Sequence, residues 1–348
     1  MLYSTKIELD LITDQSVLEF FESQVRGGTS TIFHRYAQAN NQYLPNFEST
    51  KRKSFINHID ATNLYGWAMS QKLPTGNFKF LNTEQIQDRF NILTEDIEKY
   101  QLNCNTGVVY EVSIEYPNTL HDYHNDYPLL PEILQVNGIP KLIPNLGNKQ
   151  FYILNEANLI QAIKLGLKLT KIHRAISFDQ SNWLQAYINK NTNLRKNACN
   201  DFEKDFFKLM NNSVFGKTME NIRKRSNLEI LNDNPNVADY NQTLQKLTRF
   251  SNKPNYKEPK TLYNSNIKVF HFTKTKIAYN KPIYVGAQIL DISKTLMFDF
   301  HYNYMKKKFP TQRSLFTDTD CITYQIFTED FYKEIAPDCE KFLIRRHL

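Results

Sequence analysis

Two aspartates one residue apart, Asp318 and Asp320, stand between an apolar run, Leu315-Phe316, and a stretch in which Ile322, Tyr324 and Ile326 alternate with Cys321, Thr323 and Gln325. The alternation predicts a half-buried strand, and Asp318-Thr319-Asp320 predicts the tip of a β-hairpin. Two carboxylates this close repel each other unless a cation lies between them, and the hard, oxygen-seeking candidate is Mg²⁺. A solvated turn is the plainer alternative, since Asp and Thr are ordinary turn residues. A third carboxylate, Asp60, ends another strand-like run, Ser54-Phe55-Ile56-Asn57-His58-Ile59, just before a helix-like turn with Leu64, Trp67 and Ala68. Two strand ends bearing Asp could converge on one metal pair. Between them in the chain lies Lys208-Leu209-Met210-Asn211-Asn212-Ser213-Val214-Phe215-Gly216-Lys217, a helical segment with a cation on its outer face. Carboxylates, a cationic helix, then carboxylates is the layout expected of nucleotidyl transfer.

The elements that must position these groups can be followed along the chain. Val17, Leu18, Phe20 and Phe21 predict a short helix, and Arg26-Gly27-Gly28 follows, a glycine pair that lets backbone pass close to another surface such as a template strand. Residues 108–114 read as a strand, 121–128 as a polar loop with two His and two Asp at no metal-binding spacing, 155–165 as a helix and 167–178 as extended. Residues 181–225 carry the clearest helical pattern: Trp183, Leu184, Tyr187 and Ile188 form one stripe. Phe202, Phe206, Leu209, Met210 and Ser213 share a face opposite Lys204, Lys208, Asn212 and Phe215. That predicts an antiparallel helical hairpin with cations aimed into a cleft. Residues 227–266, rich in Asn, Pro and Lys, read as an excursion with little core of its own, whose Lys253-Pro254-Asn255-Tyr256-Lys257 could follow a phosphate backbone. Residues 286–308 predict an amphipathic helix beneath the Asp318/Asp320 hairpin, with Lys306-Lys307-Lys308 complementing its C-terminal dipole.

Composition sets the class. The 348-residue chain can bury a core divided among two or more subdomains, and 41% hydrophobic with 23% charged residues is globular. No apolar run approaches the roughly 18 residues of a membrane span, and Met1-Leu2-Tyr3-Ser4-Thr5-Lys6 lacks a signal core. A soluble, intracellular protein with no membrane partner is expected. Cys104, Cys199, Cys321 and Cys339 have neither zinc spacing nor a disulfide framework, which suits a reducing compartment. A net charge of +7 fits nucleic-acid contact without requiring it.

The order and wording of these motifs resemble the family B DNA polymerases, in particular the protein-primed branch found in Polinton-type mobile elements, related viruses, linear plasmids and some bacteriophages. Asp60-Ala61-Thr62-Asn63-Leu64-Tyr65 resembles motif A (Asp-x-x-Ser/Asn-Leu-Tyr-Pro); Lys208 with Asn212, Ser213, Phe215 and Gly216 resembles motif B (Lys-x-x-x-Asn-Ser-x-Tyr-Gly). Phe316 with Asp318, Thr319, Asp320 and Cys321 resembles motif C (Tyr-x-Asp-Thr-Asp-Ser), and Arg26-Gly27-Gly28 is similar to the glycine motif linking exonuclease and polymerase modules. The resemblance spans residues 25–332.

It implies an α+β fold: a right-hand palm of antiparallel sheet with helices, plus helical fingers, with insertions between motifs. The expected division is 1–75 for an N-terminal segment and the first palm part with motif A, and 76–178 for palm and a first terminal-protein-region-like insertion. Fingers with motif B follow at 179–226, a second insertion at 227–280, and the second palm part with motif C at 281–348. It further implies a DNA-directed DNA polymerase that joins deoxynucleotides to a primer 3′-hydroxyl, or a protein hydroxyl, by two-metal catalysis in replication of a mobile element or virus. Two Mg²⁺ ions, with Mn²⁺ a substitute, would be held by Asp60 and Asp320 with Asp318 supporting. Lys208, Arg195 and Lys196 would grip the triphosphate, and Tyr65 with Asn212 would shape the nucleotide pocket. Arg26, Gly27, Gly28 and Gly216 would lie on the DNA path. The implied partners are primer-template DNA, deoxynucleoside triphosphates and a terminal protein primer. Departures are Gly66 for Pro, Phe215 and Phe316 for Tyr, and Cys321 for Ser. No exonuclease signature precedes Arg26 and only 28 residues follow Asp320, so a palm-and-fingers fragment is expected. Its alternative is a catalytically inactive nucleic-acid-binding relic; a metal nuclease would not need Tyr65 or the Lys208 motif.

Overall fold

Strand Phe55–Asp60 lies at one side of a four-stranded antiparallel sheet in the order Ser30–Ile32, Arg313–Asp318, Cys321–Ile326, Phe55–Asp60. In this computed structural model, residues 5–95, 97–98, 100, 102–103, 105–225, 227–232, 240–261 and 267–345 are described. Residues 1–4, Cys104, the Cys339 side chain and parts of the 227–266 stretch lie outside them. The chain divides into one unit of Met1–Met219 with Pro282–Leu348 and another of Glu220–Lys281.

The sheet's central strand, Cys321–Ile326, is buried along its whole length, whereas Phe55–Asp60 alternates, exposing Ile56, His58 and Asp60. Period-two alternation therefore sends Asp60 to an open face while Phe55 and Ile59 turn to the core. A second antiparallel sheet, ordered Leu73–Phe80, Lys168–Ser181, Thr106–Glu115, Lys149–Asn155, holds Val108, Val109, Tyr110, Val112 and Ile114 buried in its third strand.

Helix Ile283–Phe298 joins the two sheets. Tyr284, Val285 and Ile289 pack with Val109, Ile153 and Ile176 of the second sheet, while Met297 and Phe298 belong to a core with Ile322, Tyr324 and Ile326. It lies against the hairpin strands as expected, but it is buried on nearly every side and is not amphipathic. It continues as a π-helix, Asp299–Met305, whose wide turn buries His301, Tyr302 and Met305 together. His301 Nδ1 lies 3.0 Å from the Tyr324 hydroxyl, and the Tyr302 hydroxyl donates to the Tyr127 carbonyl at 2.6 Å. Lys306, Lys307 and Lys308 form the last helical turn, as expected, and the Lys306 ammonium also lies 3.0 Å from Asp126 and 4.4 Å above the Tyr123 ring. The 121–128 segment, read as a loop, begins with the short helix His121–His124 and buries His124, Asp126 and Tyr127. Burial drives the pKa of His124 down to about 4 and that of His301 to about 3, so both imidazoles are neutral.

Helices Gln185–Lys196 and Asp201–Thr218 form the antiparallel hairpin read from the sequence. Asn200 caps the second: its Oδ1 accepts from the Glu203 amide at 2.9 Å, and Glu203 Oε2 accepts from the amide of Cys199, just before the cap, at 3.0 Å. The apolar stripe on this helix does not face a core: Phe202, Phe206 and Leu209 are 79%, 46% and 62% exposed. Asn211, Val214 and Thr218 are buried instead, and Asn191 donates to Asn211 at 3.0 Å across the hairpin. A buried amide pair needs its hydrogen bond made, which holds this roll of the helix over the one that would hide the phenylalanines.

The Glu220–Lys281 unit has more core than its composition suggests. Strands Tyr256–Thr261, Ile267–Phe272 and Asn227–Asn232 form a three-stranded sheet in that order, and Phe250 of helix Tyr240–Ser251 packs with Phe270 and Phe272. Lys253 lies 4.8 and 4.9 Å over the rings of Phe250 and Phe272, and Tyr256 packs on the same cluster, so both close this core.

Candidate active site

The strand register brings the carboxylates together. Asp318 is opposite Cys321, and Cys321 opposite Asp60, so Asp318, Cys321 and Asp60 occupy one row across three neighbouring strands. Asp320, immediately before Cys321, sits at the middle of that row. The connecting turn is tight: the Asp320 amide donates to the Asp318 carbonyl at 2.7 Å, and Thr319 takes a left-handed φ of +58°. The Ala61 amide donates to the Asp320 carbonyl at 2.7 Å, tying the motif A strand end to the hairpin. The Cys321 thiol is aimed at the Asp318 carbonyl, 3.5 Å away.

Partial burial and the neighbouring Asp60 and Asp318 charges raise the pKa of Asp320, while its own backbone amide and the Lys208 cation act in the opposite sense. Among the described residues no three His, Cys, Asp or Glu side chains are gathered closely enough to hold a metal ion by themselves. Asp60 and Asp320 nevertheless line one cavity, and two carboxylates on one wall suit a hard, oxygen-seeking divalent cation that completes its shell from elsewhere.

The loop after Asp60 carries the next functional group. Asn63 adopts a left-handed φ of +61° and leads into helix Leu64–Met69. A Cβ on Gly66 would lie 2.0 Å from Asn63 Nδ2, so Gly66, where the resembled motif has Pro, leaves the space that the Asn63 amide fills. Gly66→Ala would push the Asn63 amide out of that space, and since the helix propensity gained by Ala offsets the displacement, a change in stability of under about 1 kcal/mol is expected, read as a small shift of Tm in thermal unfolding. In the first turn of that helix the Tyr65 ring stacks on Phe215 of helix Asp201–Thr218, centroids 4.6 Å apart and planes at 22°. Such a pair contributes about 0.5–1.5 kcal/mol beyond its buried area, and it sets the motif A ring against the helix that bears Lys208. Burial and the Asp320 charge raise the Tyr65 pKa, leaving its hydroxyl protonated near neutral pH.

These groups surround a cavity of about 750 Å³, whose walls include Asp60, Asp320, Tyr65, Arg195, Lys208 and Asn212. Lys196 and Gly216 are exposed and do not line it, and nothing lies within 4 Å of where a Gly216 Cβ would sit. Asp318 is exposed beside it. His58 does line it, with Nδ1 2.8 Å from Thr323 Oγ1 and the ring tilted over Phe316. The sequence signal for His58 is that it precedes Asp60 by two residues on one strand and so shares its face.

Arg26 is spent internally. Its guanidinium donates to the Ile153 carbonyl at 2.7 Å and the Gln24 carbonyl at 3.2 Å, and lies 3.8 Å over the Tyr152 ring. These contacts brace Arg26 against the second sheet. Gly27 has open space around it, whereas a Cβ on Gly28 would lie 2.2 Å from Thr319 Oγ1. The surface that Gly28 approaches so closely is the carboxylate hairpin itself.

The family described as DNA polymerase type B, organellar and viral, matches residues 49–307. No curated protein matches the chain. Among solved structures the chain is similar to the orthorhombic crystal form of Phi29 DNA polymerase, with a TM-score of 0.50 and 14% identity over 96% of this chain and 47% of that one. It is similarly related to Phi29 DNA polymerase complexed with primer-template DNA and incoming nucleotide substrates, with a TM-score of 0.50 and 14% identity over 92% of this chain and 45% of that one. The chain thus spans about half the length of these structures, and at this identity the likeness is one of fold.

Proposed function

Given that this chain belongs to the type B DNA polymerases of organelles and viruses, we propose that it carries the palm and fingers of a DNA-directed DNA polymerase, which transfers deoxynucleotides to a primer hydroxyl on a template. The observation that supports this most directly is the placing of Asp60 and Asp320 from neighbouring strand ends in one cavity with Lys208 and Tyr65. In this reading residues 1–75 and 281–348 supply the palm, 76–178 further palm and a first insertion, 179–226 the fingers and 227–280 a second insertion.

Asp60 and Asp320, with Asp318 beside them, would hold two Mg²⁺ ions, or Mn²⁺ in their place, together with phosphate oxygens of the substrate. Bound there, the ions would neutralise charge on the attacking and leaving oxygens. The chain's own residues align the reactants. Lys208 and Arg195 donate to triphosphate oxygens, with Lys196 further out as an electrostatic helper. Tyr65, backed by Phe215, presents a flat ring to the incoming sugar, and Asn212 borders the same pocket. Base choice is left to pairing with the template, and DNA contacts are mainly to phosphates, hence weakened by salt. The motif wording favours a mobile-element or viral setting and a protein hydroxyl as an alternative primer.

Tyr65→Ala, which removes the ring from beneath the sugar, is expected to lower the preference for deoxy- over ribonucleotides about 100-fold, measured as the ratio of kcat/KM for the two in single-nucleotide incorporation. The reading as a whole is tested by Mg²⁺-dependent incorporation of one labelled deoxynucleotide on a primed template at low salt. Incorporation that disappears in Asp60→Asn supports it; DNA binding without incorporation, with Mn²⁺ as with Mg²⁺, replaces it by the inactive relic.

A further inference from the structure

Behind the carboxylate hairpin, residues 24–29 run from the helix Ile283–Phe298 to the hairpin tip. At one end Gln24 Nε2 donates to Asp291 Oδ2 at 2.8 Å, an oxygen that also accepts from the Asn155 amide at 3.1 Å. The Lys294 ammonium, one turn further on, donates to the Arg26 carbonyl at 2.7 Å and to the Leu290 carbonyl at 3.1 Å, with Asp291 Oδ1 4.0 Å away. Arg26 is clamped from its other side by the Ile153 carbonyl and the Tyr152 ring. At the far end Gly28 abuts Thr319, and the Thr319 amide donates to the Thr29 carbonyl at 2.9 Å. Ser30 then pairs with Asp318 in the sheet.

A buried Lys-Asp pair is costly to desolvate, and apolar residues of similar volume would often be as stable or more so. Burial lowers the Lys294 pKa to about 8, while the facing Asp291 charge supports the ammonium and the Arg26 charge opposes it. What the pair secures is a position, because a glycine pair has no side chains with which to anchor itself. Released from Lys294, the Arg26 carbonyl and the 27–28 link would be free to drift, and Thr319 would lose the surface that holds its left-handed turn.

Resting on the polymerase reading above, we infer that Lys294, supported by Asp291, is a positioning residue for the catalytic carboxylates. By fixing the Arg26 carbonyl it seats Gly28 against Thr319 and so sets where Asp318 and Asp320 stand relative to Asp60. Lys294 touches neither substrate nor metal, and its effect falls on metal affinity and kcat. The nucleotide grip at Lys208 lies outside this chain of contacts.

The test uses Mn²⁺ binding followed by electron paramagnetic resonance, and single-nucleotide incorporation, on the full chain and its Lys294→Met, Lys294→Arg, Gly28→Ala and Asp60→Asn variants. Lys294→Met is expected to weaken Mn²⁺ binding and lower kcat about 10- to 100-fold, the scale of a sub-ångström to ångström misplacement, with KM for the nucleotide changed less than about twofold. Raised Mn²⁺ restores its rate but not that of Asp60→Asn, Lys294→Arg recovers part of the loss, and far-UV circular dichroism matches the parent. Gly28→Ala, acting at the other end through Thr319, gives the same kcat-only loss and decides the matter should Lys294→Met not fold. Parental Mn²⁺ affinity and kcat in Lys294→Met, or in Gly28→Ala if the first does not fold, overturns the inference and leaves the polymerase reading intact. A parent that neither binds Mn²⁺ nor incorporates overturns both.

Discussion

Replacing Asp320 by Asn is expected to lower nucleotide incorporation at least about 10³-fold, the scale of losing a principal electrostatic group in a transition state, while leaving the fold more stable than the parent. The two effects share one cause. Asp320 is partly desolvated and faces Asp60 and Asp318, so its folded-state pKa lies above its unfolded value. For a carboxyl group shifted in that direction the charged form is disfavoured by folding. At neutral pH it costs stability, and the cost disappears as pH falls through the raised folded pKa. Asn removes that cost at every pH. A small rise in Tm is expected, because solvent screens much of the repulsion at this partly exposed group. The parent's Tm should approach that of Asp320→Asn as pH is lowered into the carboxylate range. Asp60→Asn should lose incorporation to a similar extent, and it also lowers the Asp320 pKa by removing the first of its neighbouring charges. Incorporation within tenfold of the parent in either variant would exclude these residues from the reaction, and a Tm unchanged in Asp320→Asn would show that the three carboxylates are screened from one another.

Lys208→Ala is expected to lower kcat/KM for the nucleotide about 100-fold, what two charge-assisted hydrogen bonds to phosphate contribute at roughly 1.5 kcal/mol each. Among the described residues Lys208 makes no ion pair; it is exposed on helix Asp201–Thr218 and faces the cavity that Asp60 and Asp320 share. Asn212 continues the same line of the helix toward Phe215 and its stack on Tyr65. The loss should fall mainly on KM, in contrast to the kcat loss expected of Lys294→Met. Lys208→Arg should recover most of it, since a second cation of similar reach still meets phosphate. A second readout follows from the electrostatics: Lys208 lowers the Asp320 pKa, so without it the acid limb of the pH–rate profile moves to higher pH. An unchanged KM together with an unchanged acid limb would remove Lys208 from the site.

The alternation on either side of the Asp318-Thr319-Asp320 turn, and the strand-like run before Asp60, determined by themselves where hairpin and strand ends lie, because side-chain alternation and turn chemistry are local properties of neighbouring residues. The helical hairpin was legible for the same reason, whereas the α+β class came from the resemblance that the motif order carries. Periodicity also told which residues of helix Asp201–Thr218 share a face, but not which face is covered: that rests on the Asn191–Asn211 hydrogen bond, and the tertiary structure leaves Phe202, Phe206 and Leu209 in solvent. The core of the 220–281 unit was hidden likewise, since Phe250 meets Phe270 and Phe272 only when separate elements fold together. Farthest from local reach was the brace. Nothing near Arg26 or Gly28 announces Lys294 or Thr319, which are hundreds of residues away in the chain, and the close fit of Gly28 to the carboxylate hairpin is likewise a tertiary feature. Hydrogen bonds and close approaches between such distant segments exist only once both sheets and the helix joining them are in place, so the spacing of Asp60, Asp318 and Asp320 is a property of the assembled core.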